Sequence, residues 1–207
     1  MSALKKNSLT ARLPDIVFFC LMMAPAVALA HVGQGDLSGG FVSGILHPIM
    51  GPDHVVAMVA VGLWGAQLGA PAIWVLPVTF PLVMAFGGVL GALGIPIPAI
   101  EIGIAVSAIV LGAMVAFSAR PPLWFAMLLV GVFAIFHGYA HGAELPESAN
   151  AITYSIGFVV ATGSLHALGI LIGTVNRWTL GSKLLRLGGA LIAFAGFYFL
   201  AAQISLS

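Results

Sequence analysis

Two stretches of the sequence concentrate side chains able to hold a metal ion or move protons. The first runs Gly44-Ile45-Leu46-His47-Pro48-Ile49-Met50-Gly51-Pro52-Asp53-His54, and the second Phe136-His137-Gly138-Tyr139-Ala140-His141-Gly142-Ala143-Glu144. His137 and His141 stand at i and i+4, with Glu144 three residues further on. On a helix all three occupy one stripe, the spacing by which a helix offers two imidazoles to one metal. His47 and His54, seven apart, share a face of any continuous helix, with Asp53 turned about 120° away. Pro48 and Pro52 oppose continuity, and a local unwinding would gather His47, Asp53 and His54. It would also free the Gly44 and Pro48 carbonyls, whose helical donors the prolines lack. Imidazole with carboxylate suits Ni, Co, Zn, Fe or Cu(II), and the lack of thiolate weakens Cu(I). Met50 and Met58 lie nearby, but methionine at helical spacing in an apolar run is ordinarily packing. The metalloprotease order His-Glu-x-x-His is absent, with Gly138 where its glutamate would stand.

These residues matter because of their surroundings. The 207-residue chain is 61% hydrophobic and 6% charged, against about 25% charged in a soluble domain, and its mean hydropathy is +1.14. It cannot clothe a water-facing surface, which excludes a soluble enzyme and predicts an all-α integral membrane protein. A net charge of +1 argues against nucleic acid, which requires clustered Lys and Arg. A single cysteine, Cys20, builds no disulfide framework. Ionisable groups at membrane depth cost at least ~2.5–3.5 kcal/mol each and mark pathways or sites. His166, beside Thr162 and Ser164, is a third candidate. A lone membrane histidine more often ties helices by a hydrogen bond than binds an ion, and that reading is preferred for it.

Lys5, Lys6 and Arg12 precede an apolar run ending Ala28-Leu29-Ala30, the pattern of a signal peptide over 1–30. Cleavage leaves a domain of 31–207 beginning at His31, whose amine and imidazole are a chelating pair. Six spans are expected at 39–68, 72–93, 97–117, 123–140, 152–174 and 184–202, the first kinked or broken at Pro48/Pro52. With an exported N-terminus both mature termini lie outside. Arg120, Arg177, Lys183 and Arg186 then fall on the cytoplasmic side. Asp36, Glu101, Glu144 and Glu147 fall on the outer side, where they concentrate divalent cations. The frequent glycines predict close helix packing. None belongs to a phosphate-binding loop, so the chain carries no ATP-driven pump.

Both stretches resemble the signature of the HupE/UreJ family of hydrogenase/urease accessory membrane proteins. His47, Asp53 and His54 match His-x5-Asp-His in the first mature helix. Phe136, His137, Gly138, Ala140, His141, Gly142 and Glu144 match Phe-His-Gly-x-Ala-His-Gly-x-Glu in the fourth. The resemblance extends to the signal peptide, the six-span layout and the His31 start. It implies a nickel or cobalt permease of the bacterial inner membrane, serving hydrogenase or urease maturation factors. The expected carrier is not an enzyme and has no prosthetic cofactor. It binds transported Ni²⁺ or Co²⁺ transiently at His47, Asp53, His54, His137, His141 and Glu144, recruited by Asp36, Glu144 and His31. The rival reading is an intramembrane zinc hydrolase using the same cluster with Glu144 as base. If the chain is a 3+3 inverted repeat, spans one and four correspond and the site lies at the repeat interface.

Overall fold

A computed structural model describes residues 39–145 and 150–206. The expected signal peptide, His31, Asp36 and Glu147 lie outside the described residues. Everything described is helix or the loops between helices: α1 (Gly39–Met50), α2 (Pro52–Leu68), α3 (Ala72–Ala92), α4 (Ile100–Ala116), α5 (Leu123–Ala143), α6 (Ala151–Gly173), a 3₁₀ turn (Thr174–Arg177) and α7 (Thr179–Leu206). The helices α3, α5, α6 with its 3₁₀ turn, and α7 are each long and apolar enough to cross a membrane, and α1 with α2 forms a fifth span bent by 83°. The chain is therefore a multi-pass membrane protein. The remaining expected span, the third at 97–117, is α4, which has 17 residues. At ~1.5 Å per residue it is about 25 Å long, short of the ~30 Å hydrocarbon core.

The break between α1 and α2 has a local cause. Pro48 sits inside α1, which runs on to Met50. Gly51 is extended (φ −90°, ψ 101°) and Pro52 opens α2. A residue before proline is pushed out of the helical region, and proline at a first helical position needs no donor. Of the two expected prolines, Pro52 makes the break and Pro48 is absorbed.

Three boundaries differ from expectation. The helix α4 begins at Ile100 because Pro98 disfavours helical Ile97 and Ala99 is left-handed (φ 57°). The helix α5 runs on to Ala143 because Gly138 and Gly142 are packing positions against Met84 and Gly88 of α3. The helix α7 starts at Thr179, ahead of Lys183 and Arg186, because a long basic side chain keeps its charge in water while its stem stays on the helix.

Glycines set the principal crossings. α1 and α2 lie on α6 through Gly44, Gly157, Gly62 and Gly169; α3 lies on α5 through Gly91 and Gly138; α4 lies on α7 through Gly112 and Gly189. At each, a Cβ would meet the facing backbone, as expected where van der Waals contact holds membrane helices together. Large apolar side chains such as Trp74, Leu171 and Phe194 remain outside, facing hydrocarbon.

The two ends of the bundle differ in charge. At one end, carbonyls at and just beyond the C-terminus of α4 accept side-chain hydrogen bonds from other helices. Gln67 Nε2 donates to Val115 O at 3.1 Å, Arg186 Nε to Ala116 O at 2.9 Å and Trp64 Nε1 to Ala119 O at 2.9 Å. Val115 O also accepts the Ser118 N–H at 3.1 Å, and the side-chain donors add partners at a helix end, where unpaired carbonyls are costly. Arg120, Arg177 and Lys183 belong to the same end. Glu101 and Glu144 belong to the other, with His47, His54, His137 and His141.

Candidate metal centre

The bend at Gly51 and the stripe on α5 bring the two motifs together. His47 from α1 and His54 from α2 both stand against His141 of α5, with ring centroids 4.7 Å and 4.5 Å away. His54 also stands 4.9 Å from His137. At the rim, His47 Nε2 lies 3.0 Å from Glu144 Oε2, and these side chains are 33% and 57% exposed. The donor atoms of His47, His141 and Glu144 all lie within 4.8 Å of one another. The three offer one ligand atom each to a single cation, and such a cation would compete with the proton between His47 and Glu144. Inward from this rim, His54 and His141 are buried and His137 is 0% exposed. The cluster thus grades from water into the bundle.

Hydrogen bonds orient the rings. Asp53 Oδ1 accepts from the His54 backbone N–H at 2.9 Å and lies 2.9 Å from His54 Nδ1. The Phe133 carbonyl lies 2.9 Å from His137 Nδ1. A carboxylate and a carbonyl only accept, so both Nδ1 atoms carry a proton, and the neutral form of each ring has its lone pair on Nε2. Both Nε2 atoms are buried without a partner, as are both ring nitrogens of His141. A carboxylate or carbonyl behind an imidazole, with the far nitrogen free, is the arrangement that orients metal-binding histidines.

Outside the helices, the His47 hydrogen bond holds the Glu144 carboxyl below the usual glutamate range, against the upward push of burial. The carboxylate therefore stays charged at the mouth in mildly acidic water.

The structure gathers His47, Asp53, His54, His137, His141 and Glu144 at one end of the bundle. His166 is not among them. It is 1% exposed, lies across the Phe80 ring from His137, and makes no hydrogen bond of good geometry. It faces the Pro77 carbonyl of α3, the kind of interhelical partner expected of it, though short of good hydrogen-bond geometry. Met58 is core and Met50 is exposed. Sequence reasoning placed Glu101 only among the outer-side carboxylates, and it missed two ring contributors, Phe158 and Tyr154. Glu101 interacts electrostatically with His54, Asp53 and Glu144. Phe158 packs on His141 at 4.1 Å, and Tyr154 stands 6.0 Å from His47. No motif marks these residues, which reach the cluster only through the packing of α4 and α6.

Comparisons with known proteins agree with the motifs. The family described as "HupE / UreJ protein" matches residues 19–199. The curated protein named "Protein HupE" of Rhizobium leguminosarum bv. viciae is 44% identical over 172 residues, covering 83% of this chain and 89% of the relative. No solved structure matches the chain. With both signature motifs assembled in one cluster and the match spanning nearly the whole sequence, this chain belongs to the HupE/UreJ family.

Proposed function

We propose that the protein is a secondary carrier that brings a divalent transition metal, Ni²⁺ first and Co²⁺ second, from outside a bacterial inner membrane to the cytoplasm. There the ion supplies metalloenzyme maturation. The observation that carries this reading is the graded row of lone-pair donors from exposed Glu144 through half-buried His47 to fully buried His137. A hydrated ion meets carboxylates at the rim, which offset its charge, and then exchanges water for borderline-soft nitrogen. Several adjacent sites of moderate strength let it leave as well as arrive.

The orientation follows from charge. Arg120, Arg177, Lys183 and Arg186 share the end opposite the cluster, and the positive-inside tendency puts that end in the cytoplasm. In this reading α4 also spans, as the third of six, and Glu144 faces the exterior. The helix pairing supports an inverted repeat. Exchanging the first three spans with the last three carries the α1–α2/α6 pair onto α5/α3 and α4/α7 onto itself. The hydrolase reading finds no support, since Glu144, its candidate base, is engaged by His47.

The test is uptake of Ni²⁺, Co²⁺ and Zn²⁺ into proteoliposomes containing a metal-responsive dye. Wild-type protein admits Ni²⁺ or Co²⁺, and His47→Ala and His141→Ala do not. A folded wild type that admits no ion removes the carrier reading.

A further inference from the structure

Beyond the cluster the bundle holds a second set of polar atoms that no helix-helix bond uses. Both ring nitrogens of His166 and the Thr162 hydroxyl are buried without a hydrogen-bond partner. The two residues are one turn apart on the same face of α6. A buried polar group left unpaired costs on the order of 1–3 kcal/mol, so these atoms require an explanation. The usual escape for a helical hydroxyl is the carbonyl four residues back, which Thr79 and Ser164 both take and Thr162 does not. Opposite, the Pro77 carbonyl has lost its helical donor because Pro81 has no N–H. It faces His166 closely enough to interact, though short of good hydrogen-bond geometry. A neutral imidazole has one N–H, for which the Pro77 carbonyl is the acceptor at hand, and one lone pair; that lone pair and the Thr162 oxygen are left to accept a cation.

Phe80 divides this place from the cluster. It is 0% exposed and presents its ring edge-to-face to His137 at 5.4 Å and to His166 at 5.3 Å. His166 is the sixteenth residue of α6, about 22 Å from its start at ~1.5 Å per residue. It therefore lies past the middle of the helix, toward the basic end.

We propose that His166, backed by Thr162 and the Pro77 carbonyl, is a second and deeper station for the same class of ion, a borderline-soft divalent transition metal, and that Phe80 is the apolar barrier between the stations. The proposal rests on the reading of the outer cluster as the way in. One imidazole with a neutral oxygen holds an ion more weakly than the carboxylate-flanked cluster. That suits a site from which the ion departs. The ion crosses when the Phe80 ring turns, passing its π face.

The test uses the full-length protein in nanodiscs titrated with Co²⁺, followed by its visible absorption, and Ni²⁺ uptake by proteoliposomes. His166→Ala keeps the outer-cluster Co²⁺ affinity within about twofold and slows uptake about tenfold or more. In a Cys20→Ser background, His166→Cys adds a thiolate-to-Co²⁺ charge-transfer band absent from its parent. Wild-type uptake in folded His166→Ala, or no such band in folded His166→Cys, overturns the inner station. Should His166→Ala not fold, the band alone decides. Failure of the outer reading has a different signature: His141→Ala then keeps both the main Co²⁺ signal and uptake.

Discussion

The closest helix crossing in the site makes a sharp prediction. Gly138 lies between His137 and His141 on α5 and against α3. An alanine Cβ there would stand 2.8 Å from the Met84 carbonyl carbon and 2.9 Å from the Gly88 nitrogen, and closer still to the Met84 carbonyl oxygen. Ordinary van der Waals contact begins near 3.4 Å, and backbone on both sides cannot yield as a flexible side chain does. Gly138→Ala must therefore part α3 from α5 by more than about half an ångström, the tolerance within which a binding constellation works. Overpacking of this kind costs about 1–3 kcal/mol. If all of it falls on the site, Co²⁺ affinity drops by about 5–150-fold. The control is Gly163→Ala on α6, where a Cβ would meet nothing within 4 Å. There alanine removes the helix penalty of glycine, about 0.5–1 kcal/mol. Thermal unfolding in detergent and Co²⁺ titration read both variants. Gly138→Ala lowers Tm and affinity, whereas Gly163→Ala matches or exceeds wild-type Tm and keeps affinity. A Gly138→Ala protein with wild-type Tm and affinity refutes the reasoning.

Further outcomes follow from the same contacts. Asp53→Asn weakens the anchor behind His54 and lowers Co²⁺ affinity about 10–100-fold with circular dichroism unchanged; undiminished affinity would show that Asp53 does not orient the ring. Trp64→Phe removes the donor to Ala119 O at the basic end and costs about 0.5–1.5 kcal/mol of stability in denaturant unfolding, with Co²⁺ binding untouched. His47→Ala removes the largest influence holding the Glu144 carboxyl down, so an infrared titration finds it protonating at higher pH than in wild type. By linkage, the His47–Glu144 contact contributes stability above the ordinary glutamate range, and the contribution is lost as pH falls through the lowered value. An unmoved carboxyl titration in His47→Ala contradicts that assignment.

What the sequence revealed, and what it hid, divides by range. The stripe of His137, His141 and Glu144 follows from helical spacing alone. The break near Pro52 follows from the backbone of a single dipeptide, Gly51-Pro52, and both are local. The excess of charge at one end was legible because the chain carries so few charges. The adjacency of His54 to His141 was not legible as geometry. It depends on an 83° bend and on which helices cross, and glycines permit a close crossing without naming the partner. The boundaries of α4 and α7 misled for opposite reasons. The left-handed Ala99 shortened one, and basic residues read as an end proved to lie within the other. Phe80 and Tyr154 look like ordinary apolar-helix residues, and only assembly places them against histidines.

In the proposed carrier the rim and interior histidines, with Glu144, supply the ligand field of a transition-metal ion. X-ray absorption at the nickel edge of Ni²⁺-loaded protein in nanodiscs tests this most directly. The account predicts a nitrogen/oxygen shell with the outer-shell scattering of two or more imidazoles, reduced in His141→Ala and in His47→Ala. A spectrum of hydrated nickel alone, or an imidazole signal indifferent to both substitutions, would contradict it.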